Sequence, residues 1–331
     1  RDETTRSPTR RSAIASLSAV AAGLAASPAK AQAWPSRPIT LVVGFPPGGQ
    51  TDFAARIVQP GMSQILGQSV VIDNRAGAGG NLGTDAVLRA RPDGHTLLAG
   101  NANPLTINPH TMPGVNFDPR RLTSIGLALS SALILCVHPS LPVTNVNEFA
   151  AWVKAQANGA NYGTASAGSL THMAMELLRA RIGNPAMESI PYRGSSPAMQ
   201  DLLTGRIPAL FDASSVVAPF LKAGQIRGIL VTSAERVPAF PDIPTAAEQG
   251  LQDFTFLAWI GLFGPPGLPA DIVAKANDAL NRTLADPTVR ERITSLGDNP
   301  GGGTPEEMNA TLQRDYARWG EVVKATGIRV E

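Results

Sequence analysis

Small groups of residues at three turns carry types that could act on a ligand. The run Gly44-Phe45-Pro46-Pro47-Gly48-Gly49-Gln50-Thr51-Asp52 follows an apolar, β-branched segment, Ile39 to Val43. It precedes a helical pattern, Phe53, Ile57, Val58, Met62 and Ile65, that stops at Gly67. Paired glycines at a strand-to-helix turn let a backbone approach a ligand closely, and the first N–H groups of a helix favour negative charge. The stretch reads as a seat for an anion, with Thr51 or Asp52 as helix N-cap. Taken alone, it is equally compatible with a plain tight turn.

The same chemistry recurs at Tyr162-Gly163-Thr164-Ala165-Ser166-Ala167-Gly168-Ser169-Leu170-Thr171-His172, a strand, a turn of small residues and a helix. A third turn, Pro191-Tyr192-Arg193-Gly194-Ser195-Ser196-Pro197, adds a full positive charge at Arg193. In open α/β sheets such turns gather at the carboxyl ends of strands, where ligands bind. An enzyme would instead use Ser166 or Ser169 as nucleophile, His172 as base and Asp212 as orienter. Ser166 does not sit in the strained G-x-S-x-G turn of the α/β hydrolases, which weighs against that reading. The four histidines, His95, His110, His138 and His172, show no paired metal-ligand spacing.

A glycine cluster from Gly77 to Gly83 invites a dinucleotide reading, but Leu82 stands where the G-x-G-x-x-G pattern needs its last glycine. A turn that lets a helix lie close to the sheet is the better expectation. Neither a nucleotide nor a metal cofactor is expected.

Apolar strand signals alternate with helical ones from Trp34 onward, which predicts an α/β fold with mainly parallel sheets. In the first part, strands are expected at 39–43, 70–72 and 95–99, and Asn101 to Pro119 reads as loop. A strand at 133–138 makes a first crossing into a second α/β set. That set has strands at 162–164, 190–192, 208–211 and 228–231 and helices at about 148–157, 170–182 and 197–203. The long apolar run Phe254 to Phe263 suits a second crossing, and helices near 270–284, 287–295 and 305–325 return to the first lobe. Two lobes are expected, 34–130 plus 255–331 around 131–254. A chain of 331 residues with 43% apolar content has enough material for two such cores.

The first 33 residues read as an export signal: Arg6, Arg10 and Arg11, an Ala/Ser/Leu/Val stretch, then Ala31-Gln32-Ala33 as a cleavage site. Thr9-Arg10-Arg11-Ser12 leaves both the general and the twin-arginine export routes open. Without that segment the charge falls from +2 to −1, with 23 basic against 24 acidic residues, and no basic stripe for nucleic acid remains. The single cysteine, Cys136, lies in an apolar run and reads as a buried, inert thiol.

These motifs together resemble the Bug-type, or TctC-like, substrate-binding proteins of tripartite tricarboxylate transporters. The resemblance spans 34–331. It rests on Phe45-Pro46-Pro47-Gly48-Gly49 with Thr51-Asp52, Asn74-Arg75 with Gly77 to Gly80, and Pro92-Asp93-Gly94. Tyr162-Gly163-Thr164, Gly168-Ser169, His172, Pro191 to Gly194 and Phe211-Asp212 continue it. It implies a periplasmic two-lobed binding protein, type II-like with two crossing hinge strands, that closes as a monomer on a small organic carboxylate. By the same resemblance the site residues are Phe45, Gly48, Gly49, Thr51 and Asp52 in one lobe, and Thr164, Ser166, Gly168, Ser169, His172, Arg193 and Asp212 in the other. Gln50, where a proline is frequent, and His95, where an aromatic is frequent, depart from the pattern. The implied partner is a membrane transporter; a membrane signalling kinase would use the same cleft.

Overall fold

The computed structural model describes residues 34–329; the expected export signal lies outside them. Strand β1 (Ile39–Val43) runs parallel between β2 (Val70–Asn74) and β3 (Thr96–Asn101). On the other side of β3 lie β9 (Leu257–Gly264) and then β4 (Thr123–Val137), each antiparallel to its neighbour. Strand β10 (Asp298–Gly302) is antiparallel to the first part of β4. The second sheet has β5 (Ala160–Thr164) parallel between β6 (Met187–Pro191) and β7 (Ala209–Ala213). Both β7 and β8 (Arg227–Val231) are antiparallel to β4.

The 15-residue β4 belongs to both sheets, pairing with β9 up to Ala132 and with β7 from Leu133. Leu133 to His138 was therefore only the far half of the crossing strand. The polar residues Thr123, Ser124, Ser130 and Ser131 hid its near half from an apolar-run reading. The second crossing lies at the end of the Phe254 to Phe263 run nearer β8. Thr232, buried after β8, ties the two crossings together. Its Oγ1 accepts the Leu133 N–H at 2.9 Å and donates to the Phe256 carbonyl at 2.8 Å. A mainly parallel arrangement is not what forms: the outer strands are parallel, the crossing strands stand antiparallel between them, and β8 and β10 flank β4, antiparallel to it.

Helix α1 (Gln50–Leu66) follows β1, carries Pro60 within it and ends at Gly67 in the left-handed conformation. Helix α2 (Asn81–Leu88) precedes β3. The expected loop after β3 is instead a buried helical segment, Asn103–Ile107 followed by Asn108–Thr111. Its Asn and Pro residues suggest a loop, but Leu105 and Ile107 are fully buried and hold it helical. The second lobe carries α3 (Val146–Lys154), α4 (Leu170–Arg181), α5 (Ser195–Leu203) and α6 (Ser214–Lys222). Helices α7 (Ala270–Ala285), α8 (Pro287–Thr294) and α9 (Pro305–Thr326) complete the chain. Helix α6 and strand β10 were not anticipated from sequence. Cys136 is fully buried, and burial holds its thiol well above the ordinary cysteine range, as its apolar neighbours predicted.

Candidate ligand cleft

The carboxyl ends of β1, β3, β5, β6 and β7 converge between the lobes. They enclose a cavity of about 660 Å³, open mouth included, walled by Phe45, Pro46, Pro47, Gly49, Gln50, Thr51 and Asn101 to Asn103 on one side. Ala165, Leu170, Thr171, Gly194 to Pro197 and Asp212 wall the other side, and Leu133, Ala258 and Trp259 of the crossing strands form the floor. Trp259 is held there by donating its Nε1–H to Asp315 at 2.8 Å. A second cavity shares Phe45, Pro46, Ala165 and Gly194 and adds the Gly77 to Gly80 turn, Ser166 and Arg193.

On the first wall, α1 begins directly after Gly49, and no side chain caps it. Thr51 and Asp52 thus lie inside the first turn and neither is the N-cap. Thr51 Oγ1 accepts from Asn101 Nδ2 at 2.9 Å and faces the cavity. Asp52 turns away from the ligand space. Its carboxylate accepts from the Gly48 N–H at 3.0 Å, Arg56 Nε at 2.8 Å and Asn74 Nδ2 at 3.0 Å. Burial raises its pKa, but these donors and the Arg56 charge outweigh that and hold it below the ordinary value. Asp52 thereby shapes the Gly48 turn, leaving the uncapped N–H groups of α1 to the cavity. The Gly77 to Gly83 cluster serves close packing: a Cβ on Gly83 would lie 2.8 Å from the Gly44 Cα, and one on Gly80 would lie 2.9 Å from the Phe45 ring.

The second wall differs from expectation. Ser169 caps α4 and is fully buried, its Oγ donating to the Ser166 carbonyl at 2.7 Å. Thr164 Oγ1 donates to the same carbonyl at 3.1 Å. His172 Nδ1 accepts the Gly168 N–H at 3.0 Å, and burial lowers the pKa of the ring, so it stands as a neutral acceptor. Thr164, Gly168, Ser169 and His172 therefore build the turn behind the cleft, while Ala165, Ser166, Leu170 and Thr171 border it. The Leu170 N–H, a donor expected to meet an anion, is taken by Asn103 of the opposite lobe. Asn103 was missed because its segment read as loop. Ser166 Oγ is buried without a partner, and Arg193 is exposed at the second cavity.

Asp212 is buried at the first cavity, accepts the Ala213 N–H at 2.8 Å and meets Ser195. Burial pushes its pKa up to about 6, against the effect of those two hydrogen bonds. From His172, Ser169 Oγ accepts only the backbone N–H, at 3.4 Å; neither serine hydroxyl meets the His172 ring and the ring does not meet Asp212, so the residues of the hydrolase alternative do not form a relay. Among the described residues no group of three or more His, Cys, Asp or Glu could hold a metal ion, and no helix is long and apolar enough to cross a membrane. His95, the other departure from the family pattern, is buried at the start of β3, away from the cleft, with Nδ1 3.3 Å from the Pro38 carbonyl.

Two α/β lobes joined by crossing strands around a cavity define the two-lobed fold of the periplasmic binding proteins. BugD, a periplasmic binding protein, shares it at a TM-score of 0.85 and 32% identity, over 90% of this chain and 100% of BugD. MatC from Rhodopseudomonas palustris, solved with bound malate, matches at a TM-score of 0.83 and 34% identity, over 88% of this chain and all of MatC. Residues 54–328 match the family described as Tripartite tricarboxylate transporter family receptor, TctC, and the chain belongs to that family. BugT of Bordetella pertussis (strain Tohama I) is 33% identical over 325 residues, 98% of this chain and 99% of BugT.

Proposed function

We propose that this protein is exported to the periplasm, with its signal cleaved near Ala33, captures a small organic carboxylate between lobes 34–130 plus 255–331 and 131–254, and delivers it to transporter subunits in the membrane. The observation that carries this reading is the uncapped start of α1 facing a cavity shared by both lobes. One helix N-terminus at an exposed surface contributes only about 0.3–1 kcal/mol toward an anion, whereas micromolar capture needs about 8 kcal/mol. Enclosure supplies the difference, because several hydrogen bonds then act together in a dry site. The malate held by MatC supports an acid as ligand. Phe45, Gly49 and Thr51 form the first side of the site. Ser166, Arg193 and Asp212 form the second, and Gly48, Asp52, Thr164, Gly168, Ser169 and His172 hold the turns in place.

A thermal-shift screen of dicarboxylates, tricarboxylates, aromatic acids and acidic amino acids tests the proposal. A ligand at 100 times its Kd stabilises the protein by about 2.7 kcal/mol, an easily read shift. Tight binding of a neutral sugar with no response to any acid would overturn it.

A further inference from the structure

Gln50 is the first helical residue of α1 and one of the residues that line the inter-lobe cavity. Its Nε2 is sealed from solvent and has no hydrogen-bond partner. Folded proteins pair such groups with protein, water or ligand, because an unmade buried bond is costly. The neighbouring groups are donors too. Thr51 Oγ1 already accepts from Asn101, which leaves its own hydrogen free to donate, and no side chain accepts from the first N–H groups of α1. This wall of the cavity thus turns several donors without partners toward the ligand space.

We propose that Gln50 sets ligand selectivity by donating its side-chain N–H to a second oxygen function of the bound acid. The inference rests on the carboxylate reading above and narrows it to acids with oxygen at both ends. A site built to hydrogen-bond a ligand group rejects the analogue lacking it, since its own buried donor is then left unpaired. Gln50 is a specificity-determining residue, separate from the groups that shape the turn.

The position tolerates informative substitutions. Gly49, at φ −90° and ψ 174°, has the extended conformation that a following proline requires, and proline suits the first position of a helix. Gln50→Pro and Gln50→Leu therefore remove the amide while keeping the helix, and Gln50→Glu replaces the donor with an anion of the same size. Calorimetry of succinate against butyrate, and of adipate against hexanoate, reads the effect, with melting temperature as the control for folding. In the wild type at least one diacid binds about tenfold or more tighter than its matched monoacid. That ratio falls to within about threefold in Gln50→Leu and Gln50→Pro, and Gln50→Glu weakens the diacid by about thirtyfold or more. A wild-type ratio retained in Gln50→Leu, or undiminished diacid binding in Gln50→Glu, would overturn the inference while leaving the carboxylate reading in place. Failure of every acid to bind the wild type would remove that reading, and this inference with it.

Discussion

Asn103 and Leu170, 67 positions apart, are joined across the cleft: Asn103 Oδ1 accepts the Leu170 N–H at 2.8 Å. Asn103 follows β3 of one lobe, and Leu170 opens α4 of the other. A helix end that sequence marks as an anion seat is thus met by a side chain from the facing lobe. The lobes also touch at the mouth, where Ser196 Oγ lies 3.4 Å from the Pro47 carbonyl. Contact between the lobes therefore stabilises the arrangement in which they meet.

Asn103→Ala should weaken ligand binding without unfolding either lobe. Closure would then leave the Leu170 N–H unpaired, whereas opening exposes it to water. One net hydrogen bond contributes about 0.5–1.5 kcal/mol, so affinity should fall about two- to tenfold. Small-angle scattering of the ligand-free variant should show a larger open population. Unchanged affinity and scattering would mean that the contact has no part in closure.

Ser169→Ala should act on folding. Ser169 is fully buried, and its hydroxyl caps α4. Loss of such a cap costs about 1 kcal/mol, read as a lower denaturant midpoint at unchanged slope. Ligand affinity should change less, because the hydroxyl does not border either cavity. A large loss of affinity with wild-type stability would place Ser169 on the ligand instead.

Asp212 should make stability fall as pH rises. The unfolded chain releases this proton near pH 3.8, whereas burial keeps it on the folded protein until about pH 6. The folded form binds more protons between these values. The stability that the group contributes is therefore full below pH 3.8 and lost as pH rises through 6, at about 1.4 kcal/mol per unit of difference. The groups around it are the Ser195 hydroxyl, the Ala213 N–H and, on β4, the Cys136 thiol, so no cation offsets the charge. Asp298, buried beside Ser131 and Ser215, is pushed up to about 6 by burial as well and acts in the same direction. Asp212→Asn should thus gain stability over the wild type at pH 7.5 and much less at pH 4.5. An equal difference at both pH values in urea titrations would refute the assignment.

Much of this architecture was legible in the sequence because the outer strands are short apolar runs ended by glycine or proline turns. Ile39–Val43, ended by Gly44, is an example. The failures have physical causes. Strand β4 has polar residues where its edge meets the hinge, and its Ser131 hydroxyl bonds Asp298, a partner 167 positions away. The glycine-rich β10 carries almost no strand propensity and forms because β4 supplies the ladder. The Gly48-Gly49 pair and the Ser/Thr-containing turn before α4 marked both candidate seats as helix starts, although the first cap fell on Gly49 and not on Thr51 or Asp52. Propensity could not tell a hydroxyl that faces the cavity, such as Thr51, from one that closes its own helix, such as Ser169.

Gly48 tests closure most directly. It sits at φ +93°, and a Cβ placed there would lie 2.8 Å from Ser196 Oγ of the opposite lobe. Gly48→Ala therefore combines two penalties, a strained backbone present in every state and a clash present only when the lobes meet. Gly67 separates them: it sits at φ +67° with nothing within 4 Å of an added Cβ. Both Gly→Ala variants should lose about 1–2 kcal/mol of stability from the backbone alone. Only Gly48→Ala should also lose affinity, by about tenfold, since closure must displace Ser196. The next nearest atom to that Cβ is the Ser196 Cβ at 3.9 Å, an ordinary contact, so removing the hydroxyl relieves the clash. Ser196→Ala in the Gly48→Ala background should then restore most of the affinity and none of the stability. Two distant, independent effects would instead add within about 0.5 kcal/mol. Calorimetry and urea titration on the four proteins decide the matter: equal affinity in Gly48→Ala and Gly67→Ala, or no rescue in the double variant, would show that the lobes do not close through this contact.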